Sequence, residues 1–307
     1  MYRSRTDISL DSLPAPAAQA VLACNGCTIC SRQCAFLTRN GTPGDIAKEY
    51  AKDPSAMLKT AFDCSLCGLC TAICPRDVNP VAMFLAFRKE AADAGQAPFP
   101  AHKRLLRYES RGLSKTYSLY HLPENCDTVF FPGCALPGTR PETTYQTYQF
   151  IKELVPGLGM VLDCCTKPSH DLGRTGFFNA RFSQLTRTLK DHGISTILTA
   201  CPSCHKTFTG HADGFTIRTV YEIMSENGTS LIEKDTGSVA IHDPCQARFE
   251  PEIQTAVRQL AAIRGLNIIQ LPHQAKTALC CGEGGAVGCM APDLAGSWAE
   301  KRIRESN

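Results

Sequence analysis

The stretch CNGCTICSRQC at residues 24–34 and its counterpart CSLCGLCTAICP at residues 64–75 decide how the first third of the chain folds. Each sets four cysteines as C-x2-C-x2-C-x3-C: Cys24, Cys27, Cys30 and Cys34, then Cys64, Cys67, Cys70 and Cys74. Three thiols spaced three apart let the chain wrap one inorganic centre, because each intervening pair of residues turns a corner; the fourth points away. Zinc sites are built differently, from two C-x2-C halves across a long gap. Two tandem runs of identical spacing therefore speak for two [4Fe-4S] cubane clusters.

The spacing is that of bacterial two-cluster ferredoxins, in which the fourth cysteine of each run ligates the other cluster. The expected ligand sets are Cys24, Cys27, Cys30 and Cys74 for one cluster, and Cys64, Cys67, Cys70 and Cys34 for the other. Pro75 follows the second run; Ala35 stands where the first would have its proline and removes no ligand. The 29 residues between the runs read as helix, with Ile46, Ala47, Tyr50 and then Met57, Leu58, Ala61 at helical spacing. A further helix starts after Pro80 and stops at Gly95. The region resembles the helical ferredoxin domain of respiratory-type reductases rather than the compact β-hairpin ferredoxin.

Composition narrows the class. The chain has 307 residues, 43% of them hydrophobic, enough for two buried cores. Its 18 cysteines could be read as a disulfide framework, but such frameworks belong to much shorter chains, and 17 of the 18 fall into metal-ligand spacings. A net charge of +3 with no Lys/Arg block argues against nucleic acid. No apolar run approaches about 18 residues, so no spanning helix is expected. Asp7, Asp11, Pro14, Pro16 and Gln19 interrupt any export signal, and the expected setting is cytoplasmic and reducing. Residues 101–125 read as a linker whose Lys103, Arg104, Arg107, Arg111 and Lys115 leave docking to an acidic partner or a membrane surface open.

From about residue 126 short strands alternate with helices. Strands are expected at 128–131, 160–163, 196–200, 215–218, 239–242 and 267–271. Helical stripes run through Phe178, Phe182, Leu185 and Leu189, and through Ile253, Val257 and Leu260. The alternation predicts α/β units with parallel sheets. Cysteines follow the strands, where α/β folds gather their ligand loops. Cys134, Cys164, Cys165, Cys201 and Cys204 form C-x29-CC-x35-C-x2-C. A partial copy follows: Cys245, then Cys280 and Cys281 after 34 residues, then Cys289, with no closing C-x2-C. Cys126 has no partner spacing and reads as a structural thiol.

This duplicated array resembles the cysteine-rich (CCG) domain of the B and D subunits of heterodisulfide reductase, and of the iron–sulfur subunits of glycolate, lactate and anaerobic glycerol-3-phosphate oxidation. The resemblance covers nearly the whole chain outside the first 20 residues and the linker. It implies an α+β multidomain fold: a helical two-cluster ferredoxin domain at 1–100, the linker at 101–125, a CCG domain with a complete array at 126–230 and a partial one at 231–307. It implies a noncubane [4Fe-4S] cluster on Cys134, Cys164, Cys165, Cys201 and Cys204. Thr166 departs from the family, which often has Gly after the cysteine pair. Cys245, Cys280, Cys281 and Cys289 offer four thiols for a further cluster or zinc, or hold nothing and wall the first site.

Two histidines lie beside these motifs: His205 follows CPSC, and His242 precedes Asp243 and Cys245. Disulfide cleavage needs protons, which makes them candidate donors; hydrogen-bonded or surface histidines are the plain alternative. Lys167 could steady an anion or simply be a surface lysine. The glycine-rich CCGEGGAVG lacks both nucleotide-loop signatures. Clusters move single electrons while most substrates change by two, so a flavoprotein (FAD) partner is expected to split pairs. One reading is an electron-transfer subunit relaying electrons between that partner, two cubanes and the CCG cluster, with a quinone or membrane cytochrome beyond, the chain sitting in the cytoplasm or peripherally at the inner membrane face. The alternative is a disulfide reductase that cleaves a substrate S–S bond at the CCG cluster. A redox sensor would need an output module, and no helix-turn-helix or kinase signature occurs.

Overall fold

The computed structural model describes residues 9–227 and 234–306. Six helices occupy the N-terminal region: α1 (Ala15–Ala23), α2 (Ala35–Asn40), α3 (Pro43–Lys52), α4 (Pro54–Thr60), α5 (Leu69–Ala72) and α6 (Pro80–Asp93). Local chemistry sets their starts. Thr42 accepts from the Asp45 amide while the Asp45 carboxylate accepts from the Thr42 amide, a reciprocal cap with Pro43 in the first turn. The side chains of Asp53 and Asn79 accept from the first turns of α4 and α6, each followed by proline.

The middle of the chain runs α7 (Lys103–Gly112), β1 (Leu119–His121), β2 (Thr128–Phe131), α8 (Ala135–Thr139), α9 (Pro141–Leu154), β3 (Gly159–Leu162), α10 (Lys167–Asp171), α11 (Thr175–Asp191), β4 (Thr196–Thr199), α12 (Pro202–His211), β5 (Thr216–Thr219) and α13 (Val220–Asn227). Then come β6 (Ser238–Ala240), α14 (Pro251–Ile263), β7 (Asn267–Ile269), α15 (Val287–Met290) and α16 (Pro292–Ser306). The six strands expected from sequence are present to within two residues at each end. Residues 101–125 are not a bare linker: they form α7 and the edge strand β1. The three-residue β1 is too short to show a pattern, and the basic face of α7 conceals a helix that buries Glu109.

Packing divides the chain into two compact units that do not follow sequence order. The first holds the residues up to Lys103, the segment His170–Thr175 and everything from Lys276 on; the second holds Arg104–Ser169 and Gly176–Ala275. The C-terminal segment read as the end of a domain at 231–307 thus packs with the N-terminal helices.

In the first unit the core is aromatic. Phe36 meets Phe84 edge-on with centroids 5.2 Å apart, and Tyr50 stacks on Phe87 at 3.9 Å while donating to Glu90. Trp298 and Leu294 of α16 are also buried. Arg88 is fully buried within this core. Its Nε donates to Ala61 O (3.0 Å), its Nη1 to Asp171 O (2.8 Å) and Gly285 O (2.7 Å), and its Nη2 to Cys64 O. One guanidinium so binds three segments far apart in sequence. Gly285 takes φ +63°, and a Cβ there would lie 2.7 Å from the Ser65 carbonyl carbon.

In the second unit a five-stranded sheet has the order β1-β3-β2-β4-β5, parallel except for β1. Alternation along β2 sends Val129 and Phe131 to one face, where Phe178, Phe182 and Leu185 of α11 and Phe208 of α12 cover them. Phe130 faces the other side, under Tyr148 and Ile151 of α9 and Val220 and Ile223 of α13. The second copy is reduced to one βαβ element, with β6 parallel to β7 across α14.

Replacing Arg88 with Met leaves four buried carbonyls without their donor. The expected cost is about 3 kcal/mol of unfolding free energy, measured as a lower urea midpoint under anaerobic conditions; an unchanged midpoint would contradict the bridging role.

Candidate functional site

The two runs fold alike. In each, the second and fourth residues after the first cysteine adopt left-handed backbone: Gly26 (φ +73°) and Thr28 (φ +61°), then Leu66 (φ +54°) and Gly68 (φ +74°). Such geometry is costly for Thr and Leu and persists where surroundings demand it. It turns the chain at each corner so that the thiols face inward.

Each ligand set lines its own cavity. Cys24, Cys27, Cys30 and Cys74, with Cys70, line one cavity, walled by Ile29, Pro43, Val78 and Pro80. Cys34, Cys64, Cys67 and Cys70 line another, walled by Phe36, Leu37, Phe84 and Trp298. Burial pushes Cys34 up to about 11 and Cys64 to about 12, and raises Cys30 and Cys70. Neighbouring thiols add to each shift; Arg88 works against it at Cys64. Four thiols around an apolar space that resists their ionisation are a donor set for a cationic iron core, which relieves the repulsion when bound.

The complete array sits at the carboxyl ends of three adjacent parallel strands, where the sheet order doubles back. Cys134 follows β2, Cys164 and Cys165 follow β3, and Cys201 follows β4. Cys204 lies on the first turn of α12, its Sγ 3.3 Å from Cys165 Sγ. Gly133 takes φ +83°, and a Cβ there would stand 3.0 Å from Cys201 Cβ and 3.1 Å from Cys204 Sγ. Thr166 takes φ +53° and is fully buried; the left-handed turn accounts for the glycine usual at that position. Cys134 is held down to about 7 by the Cys164 thiol, and Cys201 to about 6 by the Cys204 thiol and the first amides of α12. Cys164 and Cys204, as the donors, are raised.

At Cys134 the array meets a groove lined also by Tyr108, Arg111, Thr116, Ser118 and Asp163. The Tyr108 pKa is raised, first by desolvation and then by the Cys134 thiol beside it. Sequence reasoning misses Tyr108 and the role of Arg111 because both lie on α7, inside the supposed linker. A helical stripe through Leu105, Leu106 and Glu109 is the available signal.

The histidines stand apart from this groove. His205 is buried, 3.3 Å from Thr199 Oγ1, and lines a separate cavity with Glu222, Glu250 and Glu252 that no cysteine lines. Burial lowers its pKa. His242 is exposed. Its neighbour Asp243 is buried, bonded to both Nη atoms of Arg258 at 2.8 Å and to the Ala275 amide at 2.6 Å. Lys167 is half-buried. Cys126 is buried, its thiol 3.1 Å from Thr128 O, as a structural thiol would be.

The partial array is not gathered in one unit. Cys245 belongs to the second unit, and Cys280, Cys281 and Cys289 to the first. Cys280 lines the cavity of Cys34, Cys64, Cys67 and Cys70. None of the 18 cysteines is in a disulfide. Among the described residues no three His, Cys, Asp or Glu side chains converge on a single-ion position, and no helix is long and apolar enough to cross a membrane.

Burial raises the Asp243 carboxyl but the Arg258 and Ala275 bonds outweigh it, so its folded pKa is lowered. The stabilisation is complete above the unfolded value near about 4 and fades as pH falls through the lowered folded value. Asp243→Asn is expected to cost about 3 kcal/mol at neutral pH. The difference from the unsubstituted chain should shrink in urea titrations run progressively below about pH 4; a pH-independent difference would contradict the ion pair.

Comparison with known proteins identifies two kinds of domain. Residues 23–79 match the 4Fe-4S dicluster domain, and residues 128–209 and 239–307 match the cysteine-rich domain. The dihydromethanophenazine:CoB–CoM heterodisulfide reductase of Methanosarcina mazei has a subunit 24% identical to this chain, over 79% of this chain and 66% of its own length. The fumarate reductase (CoM/CoB) of Methanothermobacter marburgensis has one that is 25% identical, over 80% of this chain and 53% of its own length. The chain thus spans between about half and just under two thirds of these relatives. No solved structure matches it.

Proposed function

Because the chain joins a 4Fe-4S dicluster domain to a cysteine-rich domain, and is on that ground an iron–sulfur protein, we propose that it is the electron-transfer subunit of an oxidoreductase. The observation that carries this reading is the pairing of the two cysteine runs. Each cavity takes three thiols from one run and is closed by the other, Cys34 in one case and Cys74 with Cys70 in the other, so the two proposed cubane sites interlock. Interlocking sets two centres close together, as one-electron relay requires. The five thiols at the sheet edge are the proposed seat of a noncubane cluster. When bound, the clusters supply single-electron transfer; the protein's part is to hold the thiols and screen them from water.

A flavoprotein partner would convert pairs of electrons into single ones, with a quinone or membrane cytochrome as the further carrier. The names of the relatives, subunits of heterodisulfide and fumarate reductases, support membership of such an assembly. So does α7, on which Lys103, Arg104, Arg107 and Arg111 are all exposed, a basic face suited to an acidic partner or to an anionic membrane surface. A cytoplasmic setting, peripheral to the membrane, fits these features.

The groove at Cys134 favours a second reading, reductive cleavage of a disulfide at the cysteine-rich site. The overall change is one S–S bond, two electrons and two protons in, and two thiols out. In this reading Tyr108, beside Cys134, carries a proton at the site, in place of His205 and His242, and Arg111 anchors an anionic substrate.

The deciding experiment is iron, acid-labile sulfide and zinc per chain on anaerobically purified protein, with EPR on the same sample. About eight irons with two interacting cubane signals support the relay, and about twelve add the third cluster; zinc without sulfide refutes the reading. For the second reading, the isolated chain with an artificial electron donor should reduce a carboxylated low-molecular-weight disulfide. Arg111→Ala should then raise KM about tenfold with kcat little changed, the loss of one charge-assisted contact. No turnover by the unsubstituted chain leaves the relay alone.

A further inference from the structure

We infer that the CCGEGG loop is not part of a separate metal site but the cover of one cubane pocket, and that Cys280 is a fifth sulfur that tunes the cluster there through Ser65. The inference rests on the two-cubane reading above and deepens it.

Four observations meet at this loop. Cys280 is buried and lines the cavity formed by Cys34, Cys64, Cys67 and Cys70, which already provide the four thiols a cubane takes. Its thiol donates to Ser65 Oγ at 3.1 Å, and its sulfur accepts from the Gly282 amide at 3.3 Å. Ser65 is itself buried, lines the same cavity and sits between two of the four cysteines. The loop is fixed from behind: Arg88 donates to Gly285 O and to Cys64 O, and Gly285 packs against the Ser65 backbone too closely for any side chain.

The direction of the bonds gives the loop a function. Ser65 Oγ accepts from Cys280, which leaves the serine's own proton for the cavity. A chain of donors ending at a cluster stabilises its reduced, more negative state and raises its potential, and each link polarises the next. The relay therefore makes one cubane the easier to reduce of two that share a ligand pattern, and so gives the pair a direction for electron flow.

The test is EPR-monitored redox titration of the unsubstituted chain and of Cys280→Ala, Ser65→Ala and Cys280→Ser, with iron and zinc counted on each. In both alanine variants one cubane's midpoint potential is expected to fall while the other's, and the metal content, stay unchanged. Cys280→Ser, which keeps a donor, should lie between Cys280→Ala and the unsubstituted chain. Loss of iron or zinc in Cys280→Ala would overturn the inference by showing a ligand of a separate centre. Retained metal with neither potential moved would overturn it as well. If the unsubstituted chain lacks two cubane signals, the two-cubane reading fails first and the inference with it.

Discussion

A fully buried guanidinium is the constraint on which the first unit depends. Arg88 takes four backbone carbonyls as acceptors, from Ala61, Cys64, Asp171 and Gly285. An isolated cation in an interior costs several kcal/mol unless its donors are answered, and here each segment that answers it becomes fixed in place. The approach to the second cysteine run, the short return of the chain at residue 171 and the loop after Cys280 are thereby one structure. The Phe62 ring, 5.0 Å from the guanidinium carbon, adds a cation–π contact. The charge also has an electrostatic role: it is the larger of two causes, with the Leu66 amide, that oppose burial at Cys64. A positive group built behind a thiolate ligand favours the ionised sulfur that metal binding needs, so the residue that assembles the pocket also conditions it.

The second unit solves a different problem. Its five thiols are collected by topology rather than by a buried charge, because parallel strands deliver their carboxyl ends to one edge of a sheet. The spacing of 29 and 35 residues in the sequence is the length of one strand-to-strand crossover with its helix. Crowding then sets the protonation pattern. Cys164 and Cys204 act as donors, Cys134 and Cys201 as acceptors, and the α12 N-terminus adds its amides at Cys201. Two thiols inclined to ionise give the array the donor character of a metal site.

Much of this is legible in the sequence because the decisive signals are local. Spacing within each cysteine run reports a turn geometry, and the strands after residue 126 carry β-branched and aromatic residues that leave little choice. What stays hidden depends on contacts distant in sequence. Arg88 reads as one charge on an amphipathic helix, since nothing near it in sequence names its acceptors at 171 and 285. The helix at Lys103–Gly112 is masked by its charged face, and Tyr108 with it. The repeat groups Cys280 with Cys245, whereas packing places the two in different units. A duplicated pattern records ancestry, and a partial copy is free to be used elsewhere.

Burial divides labour among the sulfur sites. The cavities of the two cysteine runs are walled by Phe36, Phe84, Trp298, Val78 and prolines. Such walls hinder chemistry on a substrate but leave electron tunnelling unimpeded, and the low local polarity magnifies any single hydrogen bond aimed at the cluster. The groove at Cys134 differs: it is more open, and a phenol, hydroxyls and a guanidinium stand among its lining residues. The opening beside the complete array thus contrasts with the hydrocarbon walls around the paired cysteine runs.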